Sequence, residues 1–289
     1  MKFENFRSVV VCAIILTLPI VAQSAPCDRI VSLAPSITEI LVELGLEGNI
    51  VGVTSYDNYP PSIADKSRVG GFLDTNTEAI IRTRPTILFS LAEGAESLRR
   101  VQSFGLQVDF VEHRSIKGIL DSIGSISRKC AIGERGVKLV NRLRSQIVQI
   151  TKSLPWKKSS LRVLVVVGRD VQAKGVGSVY ISGHDGFYHE LLELAGGRNA
   201  YDGPTLSVPT LSSEGLNALK PDVIFEMVGN DPQAPSNEVI IKSWRHLSGI
   251  PAVKKSNIKI LRNDYVTIPG PRFLLLLEDM VRAFKNVKT

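Results

Sequence analysis

The chain has 289 residues, with 35 Lys and Arg against 28 Asp and Glu and a net charge of +7. The basic residues are scattered rather than clustered, which argues against a nucleic-acid surface. Cysteine is scarce, and no CxxC or paired-histidine spacing marks a metal site.

Lys2 and Arg7 precede an apolar run from Val9 to Ala22, followed by the small residues Ala22 and Ser24. This is the pattern of a Sec-type signal peptide over residues 1–24. At about fourteen residues the run is shorter than the roughly twenty that a spanning helix needs. Cleavage is expected after Ser24, because Pro26 would flank a cut after Ala25. Pro26 before Cys27 also spoils a lipobox. Export would leave Cys27 and Cys130, which in an oxidising compartment either close a disulfide or stay as two thiols; geometry decides.

Beyond the signal, short β-branched runs alternate with amphipathic stretches, the pattern of α/β layers around a mainly parallel sheet. Strands are predicted at Arg29 to Leu33, Ile50 to Thr54, Thr86 to Phe89 and Val108 to Glu112. A second series follows at Arg162 to Val167, Asp222 to Met227 and Ile258 to Leu261, with a last helix from Arg272 to about Lys285. Between the series, Gly133 to Ser153 reads as one long helix with a stripe of Val137, Val140, Leu143, Ile147 and Ile150, stopped by Pro155. With no Gly/Ser-rich stretch, it is a rigid tie rather than a flexible linker. The expected division is signal peptide 1–24, first α/β lobe 25–131, connecting helix 132–154 and second α/β lobe 155–289.

An internal echo supports two lobes of similar build. Glu78 stands seven residues before Pro85, which leads into the strand ending at Phe89; Glu214 stands seven before Pro221, which leads into the strand reaching Phe225. A weaker echo pairs Ile40 to Gly45 with Leu191 to Gly196.

Candidate site residues lie at strand ends, where open α/β sheets hold ligands. Ser36-Ile-Thr-Glu39 has the spacing of a capping box after the first strand. Ser55-Tyr56-Asp57-Asn58-Tyr59-Pro60-Pro61 follows the second strand and offers two tyrosines, each with a large contact face and few rotors. Gly70-Gly71-Phe72 brings another aromatic nearby. Gly196-Gly197 fits a helix end, not a phosphate loop. His184, Asp185 and His189 with nearby serines allow a secreted-hydrolase reading, yet no GxSxG elbow is present. The four histidines, His113, His184, His189 and His246, read as surface or capping residues.

Four segments together resemble the periplasmic cobalamin-binding proteins, within the wider class of ferric-siderophore and haem carriers. They are Arg29-Ile-Val-Ser-Leu-Ala-Pro-Ser36-Ile-Thr-Glu39, Gly52-Val-Thr-Ser-Tyr-Asp-Asn-Tyr-Pro-Pro61, the glutamate-to-proline segment ending at Phe89, and Glu190-Leu-Leu-Glu-Leu-Ala-Gly-Gly-Arg-Asn199. The tyrosine loop is the most specific piece. The resemblance implies two α/β lobes joined by one long helix, with the ligand in the cleft between them. It implies no enzyme activity, no catalytic residue, no bound metal and no cofactor; a corrinoid would be the transported ligand, with a ferric siderophore or haem as the alternative.

By the same resemblance Tyr56 contacts the ligand, Asp264 reaches it from the second lobe, and Phe72 and Tyr180 form apolar walls. Glu78 and Glu214 would dock on arginines of an ABC permease dimer in the inner membrane. A periplasmic monomer is implied. The chain departs from the family's cobalamin binder at Leu91 and Val208, where that protein has tryptophans, and at Ile268, where it has an arginine.

Overall fold

The computed structural model describes residues 26–71, 74–152, 154, 161–169, 176–229 and 233–287. The expected signal peptide, Phe72 and the Pro155 helix stop lie outside them. Among the described residues no helix is long and apolar enough to cross a membrane.

The first sheet is built from β1 (Ile30–Ser32), β2 (Ile50–Val53), β3 (Ser67–Arg68), β4 (Ile87–Leu91) and β5 (Val108–Val111). Its strands run parallel in the order β3-β2-β1-β4-β5. The order reverses between β1 and β4, which opens a crevice at their C-terminal ends. The helices of this half are α1 (Pro35–Glu43), α2 (Thr77–Arg82), α3 (Arg99–Ser103) and α4 (Ile116–Lys129). After them comes α5 (Gly133–Lys152), the predicted long helix with its end one residue earlier.

The second sheet contains β6 (Arg162–Arg169), β7 (Val179–Ile181), β8 (Arg198–Asn199), β9 (Thr210–Leu211), β10 (Val223–Met227) and β11 (Ile258–Leu261). Its order is β11-β10-β6-β7-β9, with β8 beside β6. Here β7 pairs antiparallel with both β6 and β9, a hairpin edge absent from the first sheet. Helices α6 (Phe187–Leu194), α7 (Ser213–Leu219), α8 (Asn237–Trp244), α9 (Pro251–Lys254) and α10 (Phe273–Lys285) complete this half.

Both sheets are buried on two faces, which is why their central strands read as continuous β-branched runs. Alternation sorts the side chains. Ile30, Ile87 and Phe89 of the first sheet join Val163, Val165, Val223 and Phe225 of the second in one core with α1, α4, α5, α6 and α10. The opposite faces form two satellite cores: Val31, Leu88 and Ile80 in one, Leu164, Ile224 and Trp244 in the other. The two lobes therefore share apolar packing as well as a covalent tie, and α5 lies against both α4 and α10.

Two details of α5 refine the sequence reading. Val137 is 62% exposed and Leu139 is buried in its stead, whereas Leu143 is buried as expected and Val140, Ile147 and Ile150 pack partly buried against the core. Gly136 abuts α4 so closely that a Cβ there would lie 2.0 Å from Ser127 Oγ. Cys27 and Cys130 form a disulfide that fastens the residues before β1 to the C-terminal end of α4.

Both sequence echoes are structural. Glu78 and Glu214 occupy the first turns of α2 and α7, capped by Asn76 and Ser212 side chains respectively, and both are exposed. The residues before the two prolines, Arg84 and Lys220, share a left-handed backbone with φ of 48° and 46°. In the weaker echo, Gly45 and Gly196 end α1 and α6 with φ of 74° and 86°, a conformation that glycine adopts without a Cβ penalty.

Candidate functional site

The Ser36–Glu39 capping box does not form. Pro35 takes the first position of α1 and shifts the cap to Ala34, whose side chain makes no capping bond. Ser36 and Glu39 are thereby freed for other partners. Both are buried, and each bonds to a residue far away in sequence.

Glu39 meets the second lobe. Arg272, at the start of α10, donates from Nη2 to Glu39 Oε1 at 2.7 Å and to Asp264 Oδ2 at 2.8 Å. Its guanidinium lies 3.8 Å from the centroid of the Tyr59 ring, close enough for a cation–π contact. Burial raises the Glu39 pKa from its usual 4.5, against the lowering effect of Arg272. Burial also opposes the charge on Arg272, but the bonds to Glu39 and Asp264 outweigh it and hold its pKa above the usual value. The second oxygen of Glu39 is buried without a partner, facing Gly270. A further tie joins the halves: Glu190 Oε2 on α6 accepts from Ile116 N at the start of α4, at 2.7 Å.

The tyrosine loop is pinned from beneath. Asp57 is fully buried, and its Oδ2 accepts from Thr54 N at 2.9 Å and Thr54 Oγ1 at 2.5 Å. Arg68 donates to the carbonyls of Thr54 and Asp57. Burial pushes the Asp57 carboxyl above its usual pKa, against these bonds. With Asp57 turned inward, Tyr56 and Tyr59 project outward at 62% and 42% exposure. Gly71 leaves room for the Tyr56 ring, since a Cβ there would sit 3.0 Å from it.

These parts enclose a cavity of about 670 Å³ lined by both lobes. Pro35, Glu39, Tyr56 and Tyr59 come from the first lobe, Asp264 and Ile268 from the second. A second interlobe cavity of about 230 Å³ is walled by Leu91, His113 and Arg114 on one side and Asp185, Phe187 and Val208 on the other. The structure thus brings Tyr56 and Asp264 to one cavity. Leu91, Val208 and Ile268, the positions of departure, also face the cleft.

Tyr180 is placed differently. Val179 and Ile181 enter the satellite core of the second sheet, so Tyr180 points to the opposite face, over Gly168 and half exposed. It lines neither interlobe cavity. Phe72 lies outside the described residues.

His113 is not a surface residue: it is 3% exposed. Its Nδ1 pairs with Ser36 Oγ at 2.8 Å, and burial lowers its pKa from 6.5 to about 4. Neutral imidazole beside a serine makes two of the three members of a hydrolytic triad. However, Ser36 is 2% exposed and Nε2 has no partner, so no carboxylate orients the ring as a triad requires. His184 stacks edge-on against His189 with ring centroids 5.4 Å apart, and Asp185 accepts from Ser207 Oγ at 3.3 Å. No group of three or more candidate metal ligands forms among the described residues.

A cleft between two α/β lobes tied by a long helix is a shape suited to holding a solute. A family model described as periplasmic binding protein matches residues 30–265. The chain belongs to this family. A vitamin B12-binding protein of Vibrio vulnificus (strain YJ016) is 24% identical over 286 residues, covering 96% of this chain and 97% of that protein. An uncharacterised ABC transporter substrate-binding lipoprotein of Bacillus subtilis (strain 168) is 28% identical over 262 residues, 88% of this chain and 79% of its own. Two solved structures share the fold. The periplasmic vitamin B12-binding protein of Vibrio cholerae aligns with a TM-score of 0.74 at 24% identity, over 90% of this chain and 97% of its own. A periplasmic haem-binding protein of Roseiflexus aligns with a TM-score of 0.77 at 23% identity, over 90% and 98%.

Proposed function

We propose that the protein is the extracytoplasmic solute-binding component of an ABC importer and that it carries cobalamin or a related corrinoid to the permease without a catalytic step. The observation that carries this reading is the 670 Å³ interlobe cavity, where the tyrosine loop and Asp264 meet from opposite lobes. Aromatic faces suit a broad apolar macrocycle, and the carboxylates suit the hydrogen-bond donors at its rim. Kinship with the Vibrio vitamin B12-binding proteins points the same way.

On this reading Tyr56 and Asp264 contact the guest and Phe72 adds an apolar wall, while Tyr180, which lines neither interlobe cavity, joins only if the guest extends past them. Glu78 and Glu214 dock on permease arginines; their matching places at the exposed first turns of α2 and α7 support the pairing. Two such exposed ion pairs are individually weak but fix orientation on a dimeric partner. The lobes span 25–131 and 155–289, with 132–154 as the tie, and the protein acts as a periplasmic monomer.

Calorimetry with cyanocobalamin tests the proposal. One-to-one binding is expected, and Tyr56→Ala should weaken it by about tenfold, as the loss of a stacked aromatic would. Absence of heat and of any thermal shift at high cobalamin concentration would remove the corrinoid assignment. Haem and ferric siderophores in the same thermal-shift screen identify the alternative guest if one exists.

A further inference from the structure

The protein as a whole is basic, at +7, yet the cleft is not. Among the described residues, the larger interlobe cavity is lined by the carboxylates of Glu39 and Asp264, which share the single guanidinium of Arg272. Among the described residues the smaller cavity is lined by Glu93 and Asp185 with Arg114 as its one cation, and Arg114 also serves Glu112. The only histidine at either cavity, His113, is held neutral by burial. Asp57 and Arg68, behind the tyrosine loop, offset each other. Among the described residues each cavity therefore carries one more carboxylate than cation, in a protein whose charge overall has the opposite sign.

A negative excess, partly buried at the larger cavity and exposed at the smaller one, repels an anionic guest and favours neutral or cationic ones, most strongly where a low-dielectric wall weakens the screening that water would supply. It also presents carboxylate oxygens, which only accept hydrogen bonds. Asp264 Oδ2 is occupied by Arg272, and the side chain is 35% exposed, so its other oxygen is open to a guest N–H.

We infer that the cleft selects its guest by charge: it takes a chelate whose rim presents carboxamide N–H groups to Asp264 and Asp185, and it rejects the same chelate when those amides are carboxylates. The inference rests on the carrier reading above, and it sharpens that reading. A corrin rim bearing amides fits the site. A macrocycle with free propionates, or a polyanionic ferric chelate, does not.

The test is a matched series. Cyanocobalamin is compared with its monocarboxylic acids, in which one propionamide is hydrolysed to a propionate, by calorimetry on the full-length mature protein and on Asp264→Asn and Asp185→Asn. Haem and an uncharged ferric hydroxamate complete the panel. At low salt the acids should bind the wild type about tenfold more weakly than the amide. That gap should narrow with added salt, and it should shrink in at least one of the two Asn variants. Asp185→Asn guards against misfolding of Asp264→Asn, since Asp185 makes its contact with Ser207 at the exposed surface.

Equal affinity of acid and amide for the wild type would overturn the inference and leave the corrinoid reading standing. A gap that both Asn variants leave unchanged would overturn it as well. If no corrinoid binds and the uncharged hydroxamate does, the corrinoid reading falls while charge selection stands. Tight binding of haem with no corrinoid binding would end both.

Discussion

Replacing Arg272 with Met keeps the length and apolar stem of the side chain and removes its charge. In the structure this strips Glu39, 2% exposed, of the bond to Oε1 and leaves both carboxylate oxygens without a partner. Removing one member of a buried ion pair costs about 3–5 kcal/mol, because the remaining charge stays desolvated. Asp264 adds little, since its side chain is 35% exposed and water replaces the lost donor. The stacking on Tyr59 contributes about 0.5–1 kcal/mol more. A loss of about 4 kcal/mol is expected, read as a lower urea midpoint at unchanged slope.

The loss should depend on pH in a defined direction. Without Arg272 the Glu39 pKa, already raised by burial, climbs further. Above pH 4.5 the folded state then holds a proton that the unfolded state releases, so stability falls as pH rises through that window. The deficit of Arg272→Met should therefore be smaller at pH 5 than at pH 8. The double variant Glu39→Met with Arg272→Met removes both charges and should recover most of the loss, as apolar replacements of buried pairs do. A single-variant loss below about 1 kcal/mol, or a double variant as unstable as the single one, would refute the assignment of Arg272 and Glu39 as a buried pair spanning the lobes.

His113, with its pKa lowered by burial to about 4, gives stability that is fully present above pH 6.5 and lost as pH falls toward 4; the swing is on the order of 3 kcal/mol. His113→Gln should flatten this acid limb relative to the wild type. Glu39 contributes with the opposite sign in both proteins, so the difference isolates His113, and parallel curves would contradict the reading. Charge reversal at the exposed glutamates, Glu78→Lys with Glu214→Lys, should abolish cyanocobalamin uptake by cells while leaving the affinity of the purified protein within about twofold. A matching loss of affinity would place those carboxylates in the cleft instead.

The sheet centres were legible because their strands are buried on two faces: Ile30 to Ser32, Val163 to Val166 and Val223 to Met227 carry an apolar signal at nearly every position. Strands β3, β8 and β9 have two residues each, too short for any period to show. The long helix was legible from its spacing, but spacing alone did not decide that Val137 faces solvent.

The ion pair across the cleft was missed because Ser36-x-x-Glu39 satisfies a local pattern that Pro35 overrides, while the true partner of Glu39 lies 233 residues away. One signal could have exposed it. Arg272 sits at the N-terminal end of α10, where the helix dipole disfavours a cation, so an arginine there calls for compensating carboxylates. His113 was misread for lack of the strand-end argument applied to Tyr56: it too follows a parallel strand, β5, on the crevice side.

The proposed carrier holds its guest between the lobes. A crystal structure of the mature protein with cyanocobalamin tests this most directly. The corrin should lie in the interlobe cavity, with the Tyr56 ring against one side and Asp264 within hydrogen-bond distance of a rim amide. A corrinoid seated on an outer face, with that cavity filled only by solvent, would contradict the account.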